Sequence, residues 1–217
     1  MIERPIHRVH HVRHLSEGAF VLRFDRHGLL FEPGQYVSLG LRGSLAMREY
    51  SIYSGAGDDF LEVLVREIPG GLVSPALKRC EPGDELFLQG PYGMFVTDAR
   101  QRASGKYLFI GSGTGISPFH SLVRSYPRID YLLLHGVRTA EERFDAAAFD
   151  PSRSICCTSR SDGGDYRGRV TVWLLEHTVD PGWLCCLCGN SDMIYEAFTI
   201  LRGSGVPRDH LWAETYF

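Results

Sequence analysis

Two rhythms of apolar and polar positions divide this chain. Over the first hundred residues short apolar runs alternate with charge at intervals of two, the period of a half-buried strand. Residues 20–24, 35–39, 47–54, 60–67 and 85–89 read this way. Glu32-Pro33-Gly34 and Pro82-Gly83-Asp84 turn the chain between them, and 72–79 reads as a short helix after Gly70-Gly71. Six or so short strands at this spacing predict a small all-β antiparallel barrel domain. The stretch 98–105, DARQRASG, is polar and without period, so it reads as a linker with a boundary near residue 100. Beyond it strands at 107–110, 131–135, 155–159, 184–188 and 211–213 alternate with helices at 118–126, 140–149, 171–179 and 191–202, the last with Ser191 as N-cap. That alternation predicts an α/β doubly wound parallel-sheet domain. The expected organisation is 1–100 followed by 101–217.

The junction KYLFIGSGTGISPF, residues 106–119, organises the second half. A buried strand turns through Gly111, Gly113 and Gly115 into a helix opened by Pro118, which aims backbone N–H groups and a positive helix end outward. The spacing is G-x-G-x-G, not the G-x-G-x-x-G dinucleotide fingerprint, and a plain tight turn fits it equally well. In a doubly wound sheet, ligands sit beyond the carboxyl ends of the strands. Gly111 to Gly115, Gly136 to Arg138, Ser159-Arg160 and Gly189-Asn190 all follow strands and should share one rim.

Composition narrows the classes. The 217 residues are 44% hydrophobic and 23% charged with a net charge of −3, which suits a globular protein and does not favour wholesale nucleic-acid binding. The start, MIERPIHRVHH, lacks the apolar segment of a secretory leader, and no stretch has the apolar length of a membrane span. Cys156-Cys157 and Cys185-Cys186 are adjacent pairs, poor geometry for disulfides, and no Cys-x-x-Cys repeat suits zinc or an iron–sulfur cluster. Free thiols in a reducing cytoplasm, and no metal site, are the expectation. The basic stretch 6–15, IHRVHHVRHL, reads as an exposed edge strand guarded by charge, which could also help dock an acidic partner.

Short motifs in order carry a resemblance. Arg48-Glu49-Tyr50-Ser51 is followed by Gly71-Leu72-Val73-Ser74, Gly90-Pro91-Tyr92-Gly93, Gly111 to Pro118, Cys188-Gly189-Asn190 and the ending Glu214-Thr215-Tyr216-Phe217. This set resembles the ferredoxin/flavodoxin–NADP reductase family, bacterial type, across essentially the whole chain. The resemblance implies a barrel that binds FAD, in preference to FMN, and an α/β domain that binds NADP, in preference to NAD. Arg48 and Glu49 belong to the flavin motif, with Arg48 on the pyrophosphate. Tyr50 lies on one flavin face, and Ser51 bonds the hydride-accepting nitrogen. Gly71, Leu72, Val73 and Ser74 offer amides to the same pyrophosphate. Gly113, Thr114 and Gly115 take the pyrophosphate of the nicotinamide nucleotide. Arg138, Ser159, Arg160 and Arg169 take its 2′-phosphate, with Arg167 a competitor for the last place and Asp162 and Asp165 nearby. Cys188 and Glu214 stand beside the nicotinamide, Tyr216 covers the second flavin face, and Phe217 packs on adenine. The implied activity passes electrons between NADP(H) and a separate one-electron carrier, ferredoxin or flavodoxin, in a cytoplasmic monomer. The alternatives are an oxygenase reductase component, a free-flavin reductase, or a non-catalytic electron-transfer subunit.

Overall fold

The computed structural model describes residues 5–216. They form two compact units, Met1–Val96 with His120–Ser125, and Thr97–Phe119 with Tyr126–Phe217.

The first unit is a six-stranded antiparallel sheet. Its strands are β1 (His7–Ser16), β2 (Ala19–Asp25), β3 (Tyr36–Leu41), β4 (Arg48–Ser51), β5 (Phe60–Arg66) and β6 (Glu85–Tyr92), in the order β4-β3-β6-β1-β2-β5. Phe20, Leu22 and Phe24 from β2 meet Leu61, Val63 and Val65 from β5 in a core shared with Val37, Leu39 and Leu86. The helix expected over 72–79 is one turn shorter, α1 (Ser74–Lys78), with Pro75 fixing its start.

The basic stretch is not an edge. β1 lies between β6 and β2, and the carboxylates that balance it come from those neighbours. Arg8 pairs with Glu85 at 2.8 Å, His10 Nε2 lies 2.9 Å from Asp25 Oδ1, and the buried His7 bonds the Asp25 carbonyl through Nδ1 at 2.7 Å. Two of its cationic side chains, Arg8 and His10, are thus held by carboxylates of the same unit.

A second feature of this unit is a contact made by residues 120–125. His120 stacks on the fully buried Tyr53, ring centroids 3.7 Å apart, and takes its carbonyl at 2.7 Å; Ser121 donates to the Ser54 carbonyl and Arg124 pairs with Asp58.

The second unit is a six-stranded parallel sheet in the order β10-β9-β8-β7-β11-β12. Its strands are β7 (Lys106–Ser112), β8 (Asp130–Val137), β9 (Ser154–Thr158), β10 (Tyr166–Arg167), β11 (Leu184–Asn190) and β12 (Leu211–Tyr216). The helices are α2 (Ala99–Ser104), the start of α3 (Ser117–Ser125, whose residues 120–125 belong to the first unit), α4 (Val170–Glu176) and α5 (Ser191–Gly203). Leu108, Ile110, Leu134, Cys185 and Leu187 from the sheet pack against Trp173 and Leu174 of α4 and Ala197 and Leu201 of α5.

Three expectations are corrected here. The polar stretch 98–105 holds α2, because Asp98 accepts the N–H of Gln101 at 2.8 Å and caps it. The helix expected over 140–149 is two 3₁₀ turns, Ala140–Glu142 and Ala146–Ala148; Asp145, at φ 44° between them, breaks the path. The N-cap of α5 is Asn190 rather than Ser191, its side chain accepting from the N–H groups of Asp192 and Met193.

Candidate functional site

In the first unit β4 carries Arg48-Glu49-Tyr50-Ser51, paired with β3 so that Tyr50 sits opposite Val37 and Ser51 opposite Tyr36. Alternation places Arg48 and Tyr50 on one face and Glu49 and Ser51 on the other. Arg48 and Glu49 are exposed, and the Arg48 guanidinium bonds only the Met47 carbonyl among the described residues. Tyr50 packs against the core, and burial pushes its hydroxyl up to about 12 against the opposing pull of Arg48. Ser51 is buried. At α1, Gly71 gives its N–H to the Ile68 carbonyl, while the Ser74 hydroxyl accepts the N–H of Ile68. The amides of Leu72, Val73 and Ser74 find no acceptor among the described residues, and the Leu72 side chain is exposed. A guanidinium bonded only to one main-chain carbonyl, three amides unclaimed among the described residues and a half-buried phenol suit a diphosphate and a flat ring. That donor set fits FAD.

The second unit gathers its residues at the carboxyl ends of the parallel strands. Gly113–Ile116 form a 3₁₀ turn leading into α3, so the amides of Gly113 and Thr114 lack intrahelical acceptors. Gly115 lies against β11: a Cβ there would be 2.3 Å from the Cys188 carbonyl oxygen. Asn190 N–H donates to Ser112 Oγ at 2.9 Å, tying the end of β11 to the end of β7. Strand register sets Glu214, Cys188, Gly111, His135 and Cys156 in one row across the sheet, directly beneath this turn. His135 is buried, and its Nε2 donates to the Gly113 carbonyl at 2.9 Å.

Cys188, Glu214 and Tyr216 come together at the ends of β11 and β12. Burial first, then the Glu214 charge, raises the Cys188 thiol well above its ordinary range, opposed by a hydrogen bond with Tyr216. Phe217 lies outside the described residues. Burial likewise pushes Cys157 and Cys185 up to about 12, and all six cysteines are free and buried. Ellman's reagent at pH 8 should therefore find no fast thiol in the native protein and six after denaturation. A rapid native reaction of one thiol would place that cysteine at the surface.

The remaining rim residues sort by partner. Arg160 N–H donates to the Arg138 carbonyl at 2.8 Å, and Arg169 is the N-cap residue of α4. Arg138, Ser159, Arg160 and Arg169 are exposed, and no ion pair engages these three arginines among the described residues. Ser159 Oγ leans back on the Val137 carbonyl at 3.3 Å. Arg167 is taken by Asp162 at 2.9 Å, and Asp165 is held by Arg143 at 3.0 Å and by Cys156 N–H. Sequence reasoning passed over His135 and Ser112. Only the period-two position of His135 within 131–135 hints at its inward face.

A six-stranded antiparallel unit with these donors, followed by a parallel sheet with this rim, defines an FAD-binding oxidoreductase. The chain belongs to the ferredoxin–NADP reductase family. Residues 8–97 match the family model described as the oxidoreductase FAD-binding domain. Ferredoxin–NADP reductase B of Sorangium cellulosum is 32% identical, over 94% of this chain and 94% of its own length. The reductase component of the naphthalene 1,2-dioxygenase system of Pseudomonas putida is 29% identical over 86% of this chain, which spans 61% of that protein. Among solved structures, an Amycolatopsis cytochrome P450 reductase superposes with a TM-score of 0.85 at 27% identity, covering 100% of this chain and 72% of its own. Among the described residues no helix is long and apolar enough to cross a membrane.

Proposed function

We propose that the chain passes electrons between NADP(H) and a separate one-electron carrier, ferredoxin or flavodoxin, using FAD. The first unit would bind the flavin and the second the nucleotide. Bound FAD would exchange a hydride with the nicotinamide and hand its electrons on singly. Arg48 and the amides of Leu72, Val73 and Ser74 would hold its diphosphate, Tyr50 would lie against its ring, and Ser51 would bond the hydride-accepting nitrogen. Gly113, Thr114 and Gly115 would carry the nucleotide diphosphate. Cys188 and Glu214 would border the nicotinamide, the neutral thiol excluding water and the carboxylate available to hold a proton. Six buried thiols suit a reducing cytoplasm, and we read the protein as a monomer there.

The observation that carries the nucleotide assignment is the sorting of charges on the rim. Among the described residues no ion pair engages Arg138, Arg160 or Arg169, which could meet a 2′-phosphate, whereas the nearby Asp162 and Asp165 that would suit an unphosphorylated ribose are already paired. Arg160→Ala should raise the KM for NADPH about tenfold with kcat little changed, because it removes binding that is uniform along the reaction. An equal effect on NADH would rule out the phosphate role.

The similarity to the naphthalene dioxygenase reductase component favours a second reading, delivery of electrons to an oxygenase system. The visible spectrum tests the core of both readings: flavin bands should bleach anaerobically with NADPH and much more slowly with NADH. Flavin bands that neither nucleotide bleaches would sink the reductase assignment. Fast turnover with ferredoxin and slow turnover with free flavin would then separate a carrier reductase from a flavin reductase.

A further inference from the structure

We propose that His135 is the positioning residue of the nucleotide loop, fixing the Thr114 amide outward from beneath; this rests on the second unit being the NADP(H) unit. A carbonyl oxygen can only accept, so the 2.9 Å contact with Gly113 requires the hydrogen on Nε2. The peptide joining Gly113 and Thr114 is planar and trans, so its N–H points opposite to its C=O. With the Gly113 carbonyl drawn down onto His135, the Thr114 N–H is turned up to the rim. Gly113, at φ 53°, accepts the left-handed conformation this orientation needs.

Space-filling does not explain the ring. His135 Nδ1 is buried with no partner among the described residues, which costs stability that a leucine or phenylalanine of similar size would not. The imidazole is there for its other nitrogen. Its surroundings hold it neutral: burial lowers its pKa to about 4, and the nearby Arg143 acts in the same direction. Cys156 lies across from it on β9, with Phe144 in ring contact; Asp165, the carboxylate closest in the network, is spent on Arg143 and the Cys156 amide. No carboxylate bonds the ring itself among the described residues.

The test compares H135L and H135Q by calorimetric titration with NADP⁺ and with adenosine 2′-monophosphate, which lacks the diphosphate. H135L should weaken NADP⁺ about tenfold, the loss expected for one amide-to-phosphate bond, and leave the monophosphate within about twofold. H135Q should restore most of the NADP⁺ affinity, because its side-chain amide can donate the same bond. Unchanged NADP⁺ affinity in H135L, or equal loss of both ligands, would overturn the inference. Wild-type protein that binds neither ligand would instead overturn the nucleotide reading itself, before any variant is made. Nitrogen-15 spectra of the wild-type ring provide a check that needs no variant to fold. The Nε2–H tautomer, neutral at pH 6, is expected; the Nδ1–H tautomer would refute the proposal.

Discussion

Gly115→Ala should cripple NADPH use while leaving FAD content intact. A Cβ at this position would lie 2.3 Å from the Cys188 carbonyl oxygen, 2.7 Å from its carbon and 2.8 Å from the Gly189 Cα. All three are backbone atoms of β11, whose neighbours β7 and β12 hold it on both sides, so the loop must lift instead. Overpacking of this kind costs about 1–3 kcal/mol. Spent on lifting the diphosphate loop, it corresponds to a rise of about ten- to a hundredfold in the KM for NADPH. Gly113→Ala is the control. A Cβ there meets nothing within 4 Å, so only the left-handed strain of about 1–2 kcal/mol applies. The measurements are KM, the flavin-to-protein ratio and thermal unfolding of both variants. A Gly115→Ala enzyme with unchanged KM would mean that the turn does not contact the nucleotide.

Stability should fall between pH 6.5 and pH 4, and His135 should account for much of the slope. The native ring is neutral because burial lowers its pKa to about 4, whereas in the unfolded chain it titrates near 6.5. Within that window the unfolded state binds more protons than the native state, so lowering the pH favours unfolding. Above pH 6.5 the group has no effect, and below pH 4 its full effect has been reached. The shift corresponds to roughly 3 kcal/mol across the window. His7 acts with the same sign, its pKa lowered by burial and by His27 despite the opposing Asp25 carbonyl. The carboxylates held low, Asp25 and Asp150 among them, lose their contribution only as pH drops through and below the ordinary carboxylate range. Urea unfolding at pH 7, 6 and 5 should show the slope in the wild type and a shallower one in H135Q. Parallel curves would mean that the ring titrates normally in the folded protein.

Local devices were legible in the sequence, whereas whatever depended on a neighbouring strand was not. Most strands of both sheets announced themselves through apolar runs, β1 and β10 excepted, and the glycine turn after β7 through its own spacing. The row Glu214–Cys188–Gly111–His135–Cys156 draws one residue from each of five strands, and only their register assembles it. β1 looked like an edge because its charges were visible and their partners, Asp25 and Glu85, were not. The alanine-rich stretch at 140–149 had helix propensity, but Phe144 and Phe149 are both buried and the chain turns at Asp145 between them. The helix α2 gave no apolar period because it buries no residue completely. Strand β10, two residues long, is too short to have a pattern.

The arrangement of the rim separates two kinds of selectivity. The diphosphate turn is set by backbone wedged against β11 and by a buried ring, so few substitutions there leave it intact. Arg138 and Arg160 are linked by one main-chain hydrogen bond, and their side chains are exposed and unpaired among the described residues. If these arginines take the 2′-phosphate as proposed, the part of the protein that discriminates between the two nicotinamide coenzymes is its most replaceable part. On that proposal, coenzyme preference could be redesigned by exchanging the exposed side chains of Arg138, Arg160 and Arg169, which among the described residues hold no neighbouring strand in place, unlike Asp165 and strand β10.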